Sequence, residues 1–144
     1  MQQQNYSNHR RTIIMFHVVL FFMIILLTIG SFVNLWKSIG DHSRLYSASL
    51  ICVVSICLLL LFFFTRVFAL KAQDRAIRAE ENLRHIVLTG KLLDSRLNIR
   101  QIIGLRFAPD DEFVPLAKRA VDEKLSEDEI KRAVKNWKGD YYRV

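Results

Sequence analysis

Leu58-Leu59-Leu60-Leu61-Phe62-Phe63-Phe64 is the centre of an apolar run, Leu45 to Thr65, that holds 21 residues and no charge. A helix needs about 20 predominantly apolar residues to cross a bilayer, so this run is long enough alone. A second run precedes it, Thr12 to Trp36, with 25 uncharged residues. At about 1.5 Å per residue it reaches roughly 37 Å, enough for a hydrocarbon core of about 30 Å with some tilt. A core helix of a soluble protein would carry polar residues along one face. Neither run does, and both are predicted to be membrane spans.

The first run has a competing reading as a cleaved signal peptide, because Arg10 and Arg11 flank it. Its apolar stretch is too long for that, and no Ala-x-Ala-like cleavage pattern follows. The charged residues between 12 and 65 are Lys37, Asp41 and Arg44, all in the break between the runs. Residues 66–144 hold 17 of the 21 basic and 13 of the 14 acidic residues. This split predicts a membrane part followed by a water-exposed part.

Orientation follows from Lys and Arg near the span ends. Arg10, Arg11, Arg66, Lys71, Arg75, Arg78 and Arg84 compete with Lys37 and Arg44. Both termini are therefore expected in the cytoplasm, with the loop 37–44 outside. Cys52 and Cys57 both fall in the second span and point about 140° apart on a helix, so a bridge between them is not expected.

Residues 1–11 are polar or basic, lack periodicity and are expected to be disordered. The loop 37–44 is short, which makes the spans an antiparallel hairpin. Gly30 and Ser31, at the depth of Ser49 and Cys52, are small enough to form its seam. No Gly or Pro interrupts Arg66 to Thr89, so the second helix is expected to continue past the membrane and stop at Gly90. Asp74 with Arg78 and Glu80 with Arg84 are spaced as i, i+4 ion pairs. Ala72, Ala76, Ala79, Leu83 and Ile86 form one apolar stripe, expected to be a close-packing helix seam.

Beyond Gly90 three short helices are predicted. Asn98 with Gln101 is spaced as a capping box ahead of Ile99, Ile102, Ile103 and Phe107. Pro109 ends that helix. The next follows Asp110-Asp111-Glu112, with Pro115 expected in its first turn and Phe113, Leu116, Ala117, Ala120 and Val121 inward. Ser126 with Glu129 is a second capping box, and the last helix is expected to bury Ile130, Ala133, Val134 and Trp137. The fold class is thus an all-α membrane protein: a two-helix hairpin, a cytoplasmic extension of the second helix, and a small helical tail at 91–144. Three short helices bury little apolar area, so the tail needs the long helix or another protein to pack against.

Signs of catalysis are absent from the sequence. His9, His17, His42 and His85 are scattered, without metal-ligand spacing. No glycine-rich phosphate loop or nucleophile elbow is present. His17, about a turn into its span, reads as an interfacial histidine. Residues 107–144 hold eight basic and nine acidic residues, which argues against nucleic acid, whereas 66–106 hold nine basic and four acidic. That excess suits anionic lipid headgroups, with Arg66, Lys71 and Arg75 as contacts. No cofactor, metal or small-molecule substrate is expected.

Asp74-Arg75-Ala76-Ile77-Arg78-Ala79-Glu80-Glu81-Asn82-Leu83-Arg84-His85, Leu88-Thr89-Gly90-Lys91-Leu92-Leu93, Ile99 to Phe107 and Leu125 to Lys131 together carry a resemblance. The chain resembles an uncharacterised family of small two-span bacterial membrane proteins, chiefly from Bacteroidota, most densely over residues 71–138. The resemblance implies a bacterial cytoplasmic membrane and the same architecture, and no catalytic residues.

The expected function is a non-enzymatic accessory or scaffold subunit of a larger membrane complex. Trp137, Tyr141 and Tyr142 are its candidate docking residues, with Trp137 alternatively closing the tail's own core against Phe107 and Phe113. The alternative function is a homo-oligomeric channel or transporter component, for which Thr28, Ser31, Ser49, Ser55 and Thr65 are the polar residues available. A tethered regulator would need a pocket, for which the tail looks too small.

Overall fold

A computed structural model describes residues 4–8 and 12–140, and all regular structure among them is helical. A π-helical segment, Met15–Leu20, runs into α1, Phe21–Lys37. It is followed by α2, His42–Thr89, and by three short helices: α3, Ile99–Leu105; α4, Asp110–Asp122; and α5, Glu127–Ala133. The chain divides into two compact units, one of residues 12–68 and one of the remaining described residues.

In the first unit α1 and the start of α2 pack as an antiparallel pair. The buried positions are Ile24, Ser31 and Ser38 on one side and Ala48, Cys52 and Ser55 on the other. Their spacings of three, four and seven put each set on a single helix face. Ser31 Oγ lies 3.0 Å from Ser55 Oγ and accepts from Cys52 Sγ at 3.5 Å. The seam therefore passes through Ser31, whereas Gly30 has no neighbour within 4 Å of where a Cβ would stand. Ser49 turns its hydroxyl back to the Tyr46 carbonyl. Phe62 closes the far end against Phe16 and Phe21, with ring centroids 4.7 and 5.7 Å away.

The connection is tighter than the expected eight-residue loop, because α2 begins at His42. Asp41 starts it: its Oδ1 accepts from the Ser43 N–H (3.0 Å) and hydroxyl (2.6 Å), and its carbonyl takes the Arg44 and Leu45 N–H groups. Gly40 supplies the reversal at φ +97°, which a side chain would resist. Phe22, Leu26, Phe32, Leu61 and Phe64 remain exposed on this unit. The helical stretches Met15–Lys37 and His42–Thr89 are both long and apolar enough to cross a membrane.

The second unit has its own core. Ile77 of α2 joins Leu93, Leu97, Ile102, Leu105, Phe113, Ala120 and Ile130. Local sequence starts each short helix. Asn98 accepts from the Gln101 N–H while Gln101 returns a bond to the Asn98 N–H, and Ser126 with Glu129 repeats the arrangement. Gln101 also donates to the Ala120 and Leu125 carbonyls, tying the end of α4 to α3.

Three expectations need correction here. Pro115 lies in the second turn of α4, not the first, because that helix begins at Asp110. The ring leaves the Asp111 carbonyl without its helical donor, and both residues are exposed, so water can take its place. The last helix ends at Ala133 instead of continuing through Trp137. Glu112, on α4, draws the chain away by accepting from the Lys135 N–H (2.8 Å) and the Asn136 N–H (3.0 Å). Residues 4–8, expected to be disordered, form a turn around Asn5 Oδ1. Gln4 Oε1 accepts from the Asp140 N–H (2.7 Å), and Tyr6 receives a bond from Arg132 (3.1 Å).

Candidate interaction surface

Past residue 69, α2 presents two faces of opposite character. The inner face, Gln73, Ile77, Glu81 and Arg84, meets the tail. Arg84 is the main link. Its Nε donates to Asp110 Oδ1 (2.7 Å), its Nη1 to Glu81 Oε2 (3.1 Å) and its Nη2 to the Ala108 carbonyl (2.8 Å). The guanidinium lies over the Phe113 ring, 4.3 Å from the centroid. One side chain thus fixes the corner between α3 and α4 onto α2, with a carboxylate on each side for its charge.

Further bonds fasten the chain after α2. Gly90 has φ +74° and ends the helix, and its N–H donates to the Ile86 carbonyl. His85 Nδ1 donates to the Lys91 carbonyl (2.7 Å), and the Leu93 N–H reaches Asn82 Oδ1 (3.3 Å). The expected pairs Asp74–Arg78 and Glu80–Arg84 do not form among the described residues; Arg84 is committed to Glu81 and Asp110 instead.

A cleft of about 390 Å³ opens beside this face, lined by Glu80, Glu81, Arg106, Lys138 and Asp140 among others. The sequence did not lead us to expect a pocket there. Burial pushes the Glu81 carboxyl above its usual range, with Arg84 opposing. Burial also lowers the Arg106 guanidinium, with Asp140 opposing. Arg106 is 9% exposed in its side chain, and its Nη1 lies 3.0 Å from Asp140 Oδ2. That contact is an ion pair without hydrogen-bond geometry, and Nε lacks an acceptor among the described residues. Three carboxylates against two cations leave the cleft without an excess charge of the sign an anion would need.

The outer face is the apolar stripe, and none of the described residues buries it. Ala72, Ala76 and Ala79 are exposed, as are Leu83 (62%), Ile86 and Val87 (77%). The seam expected to pack is therefore exposed, while the tail packs through Ile77, Glu81 and Arg84 and reaches the edge of the stripe, where Ala76 and Leu83 border clefts shared with Lys138. The burial of Ile77, Glu81 and Arg84 was missed because two of the three are charged. The available signal was the row Leu70, Ile77, Arg84, Leu88, on one helix face but poor in apolar residues.

Trp137 is half-buried with its ring 4.7 Å from that of Phe107, so it closes the core as the alternative reading held. Phe113 instead meets Arg84 and His85. Tyr141 and Tyr142 lie outside the described residues. Lys71 and Arg75 are exposed and Arg66 is half-buried. His17 Nδ1 sits 3.0 Å from the Ile13 carbonyl at the start of its helix. Among the described residues no three His, Cys, Asp or Glu side chains gather as a metal site would require.

The sequence profile described as "Family of unknown function (DUF6526)" matches residues 1–144. Neither the curated proteins nor the solved structures contain a match.

Proposed function

We propose, from the premise that the chain belongs to DUF6526, a family of unknown function, that it is a non-enzymatic accessory or scaffold subunit anchored in a bacterial cytoplasmic membrane. The hairpin of residues 12–68 is the anchor, both termini face the cytoplasm, and the helical unit is the interaction module. The observation that carries this reading is the outer face of α2. Leu83, Ile86 and Val87 are left in water after the tail has built its core. Apolar rows of this kind on a helix mark a surface that a partner covers. Arg66 and Lys71, with Arg75 beyond them, suit contact with anionic headgroups.

The channel reading has less support. Four of the five polar residues named for it, Thr28, Ser31, Ser49 and Ser55, direct their hydroxyls to one another or to carbonyls of their own helices, and Thr65 alone makes no lining row.

Two experiments test the proposal. A cysteine at Ser43 should react with an impermeant thiol reagent from outside intact cells, and one at Gly139 should not. Reversed labelling would overturn the orientation. Purified in mild detergent, the protein should run larger than one chain with its micelle. A lone monomer would overturn the subunit reading.

A further inference from the structure

Ala69, Ala72, Ala76, Ala79, Leu83 and Ile86 follow one another at spacings of three, four, three, four and three. That is the a/d pattern of a two-stranded coiled coil, with 69, 76 and 83 at a and 72, 79 and 86 at d. The positions flanking the seam are then fixed. Arg75 falls at g, before the a-position Ala76, and Glu80 falls at e, after the d-position Ala79.

In a parallel pair the g residue of one helix meets the e residue five places on in the other. Arg75 and Glu80 are five apart, so each copy's Arg75 meets the other's Glu80, twice per pair by symmetry. An antiparallel pair would set g against g and e against e. The g positions are Phe68, Arg75 and Asn82, and the e positions Gln73, Glu80 and Val87, so no opposite charges would face each other. The charges select the parallel arrangement.

The fold keeps these groups available. Neither Arg75 nor Glu80 forms an ion pair within the chain among the described residues. Both are exposed, Glu80 at the edge of the cleft it shares with Lys138, and the tail packs on α2 through Ile77, Glu81 and Arg84. Alanine at four of the six seam positions lets two helices approach closely, while Leu83 and Ile86 supply the larger apolar contacts near the helix end.

We propose that residues 69–87 pair with the same residues of a second copy of this chain as a parallel, in-register coiled coil, fixed by two reciprocal Arg75–Glu80 bridges. The inference rests on the proposed role of the outer face as an interaction surface and names its occupant. It also gives Arg75 a protein partner in addition to a lipid one.

The test uses the full chain in its membrane, with Cys52→Ala and Cys57→Ala as background. Single substitutions Ala72→Cys, Ala76→Cys and Ala79→Cys should each form a disulfide-linked dimer under mild oxidation. Arg78→Cys, exposed but about 100° or more from the seam residues Ala72, Ala76 and Ala79, should link poorly. An antiparallel pair would link at no more than one of the three positions, which would overturn the proposal, as would equal linking at Arg78. Arg75→Glu or Glu80→Arg alone should weaken linking at Ala79→Cys roughly tenfold, as two attractive pairs become repulsive, and the double reversal should restore it. Single reversals without effect would overturn the register. Co-purification of other proteins with no self-linking would leave the subunit reading intact and remove this one.

Discussion

At Gly104 α3 lies close against α5. A Cβ there would stand 3.1 Å from both the Glu127 carbonyl oxygen and Ile130 Cγ2. The carbonyl belongs to the first turn of α5 and cannot swing aside as a side-chain tip could. Gly104→Ala should therefore destabilise the helical unit by about 1–2 kcal/mol, overpacking outweighing the gain of roughly 0.5–1 kcal/mol in helix propensity. Urea unfolding followed by helicity would show it, and an unchanged midpoint would mean that α5 yields. Glu81 makes a pH-dependent prediction. Its folded carboxyl titrates above the ordinary 4.5 because it is buried. The folded state then holds the proton more tightly than the unfolded chain does, so stability falls as pH rises from 4.5 through the raised value and is level above it. Glu81→Gln should abolish that fall. Asp94 has the opposite sign: hydrogen bonds from Arg96 hold it at about 2 against 3.8, so its contribution is lost only as pH drops through that window. Trp137→Ala should cost about 2–4 kcal/mol by opening the core at Phe107, and an unaffected stability would return Trp137 to the docking surface.

At the scale of elements, the caps are the most local feature and the most readable. Asn98→Ala and Ser126→Ala should each cost about 1 kcal/mol, measurable as a lowered melting temperature of the tail. Both capping boxes were legible from four consecutive residues, because all the atoms involved are neighbours in sequence. The end of α5 was not legible, since it is set by Glu112, which lies 23 residues before Lys135. Asp41 was legible in principle, as a helix-starting Asp before Ser43, but the apolar run drew the boundary further on. The two faces of α2 show the deeper difficulty. Composition marks the Ala72 to Ile86 stripe as the side to bury, yet Arg84, joined to Asp110 and Glu81, draws the tail onto the Ile77 and Glu81 face instead. A charged side chain that links distant segments leaves no periodic trace. If the stripe is the pairing seam, Ala76→Leu should weaken self-association by about 1–3 kcal/mol through overpacking. Arg75→Leu should do less, and equal losses would count against a seam.

Across the whole molecule, the sequence displays the two apolar runs and the helical tail, while the division into units depends on contacts far apart in the chain. Residues 4–8 belong with the tail because Gln4 bonds to Asp140 and Tyr6 to Arg132. In the language of domain architecture, the apolar hairpin is therefore an insertion within the helical unit and not a segment placed before it. Synthesis imposes an order on such a design. Gln4 leaves the ribosome long before Asp140, so their bond closes only after more than a hundred intervening residues have been made. A chain stalled before Arg132 would hold its hairpin and α2 complete while Gln4 and Tyr6 still lacked these partners, and its unfinished core would stand open to whatever quality-control machinery surveys nascent chains.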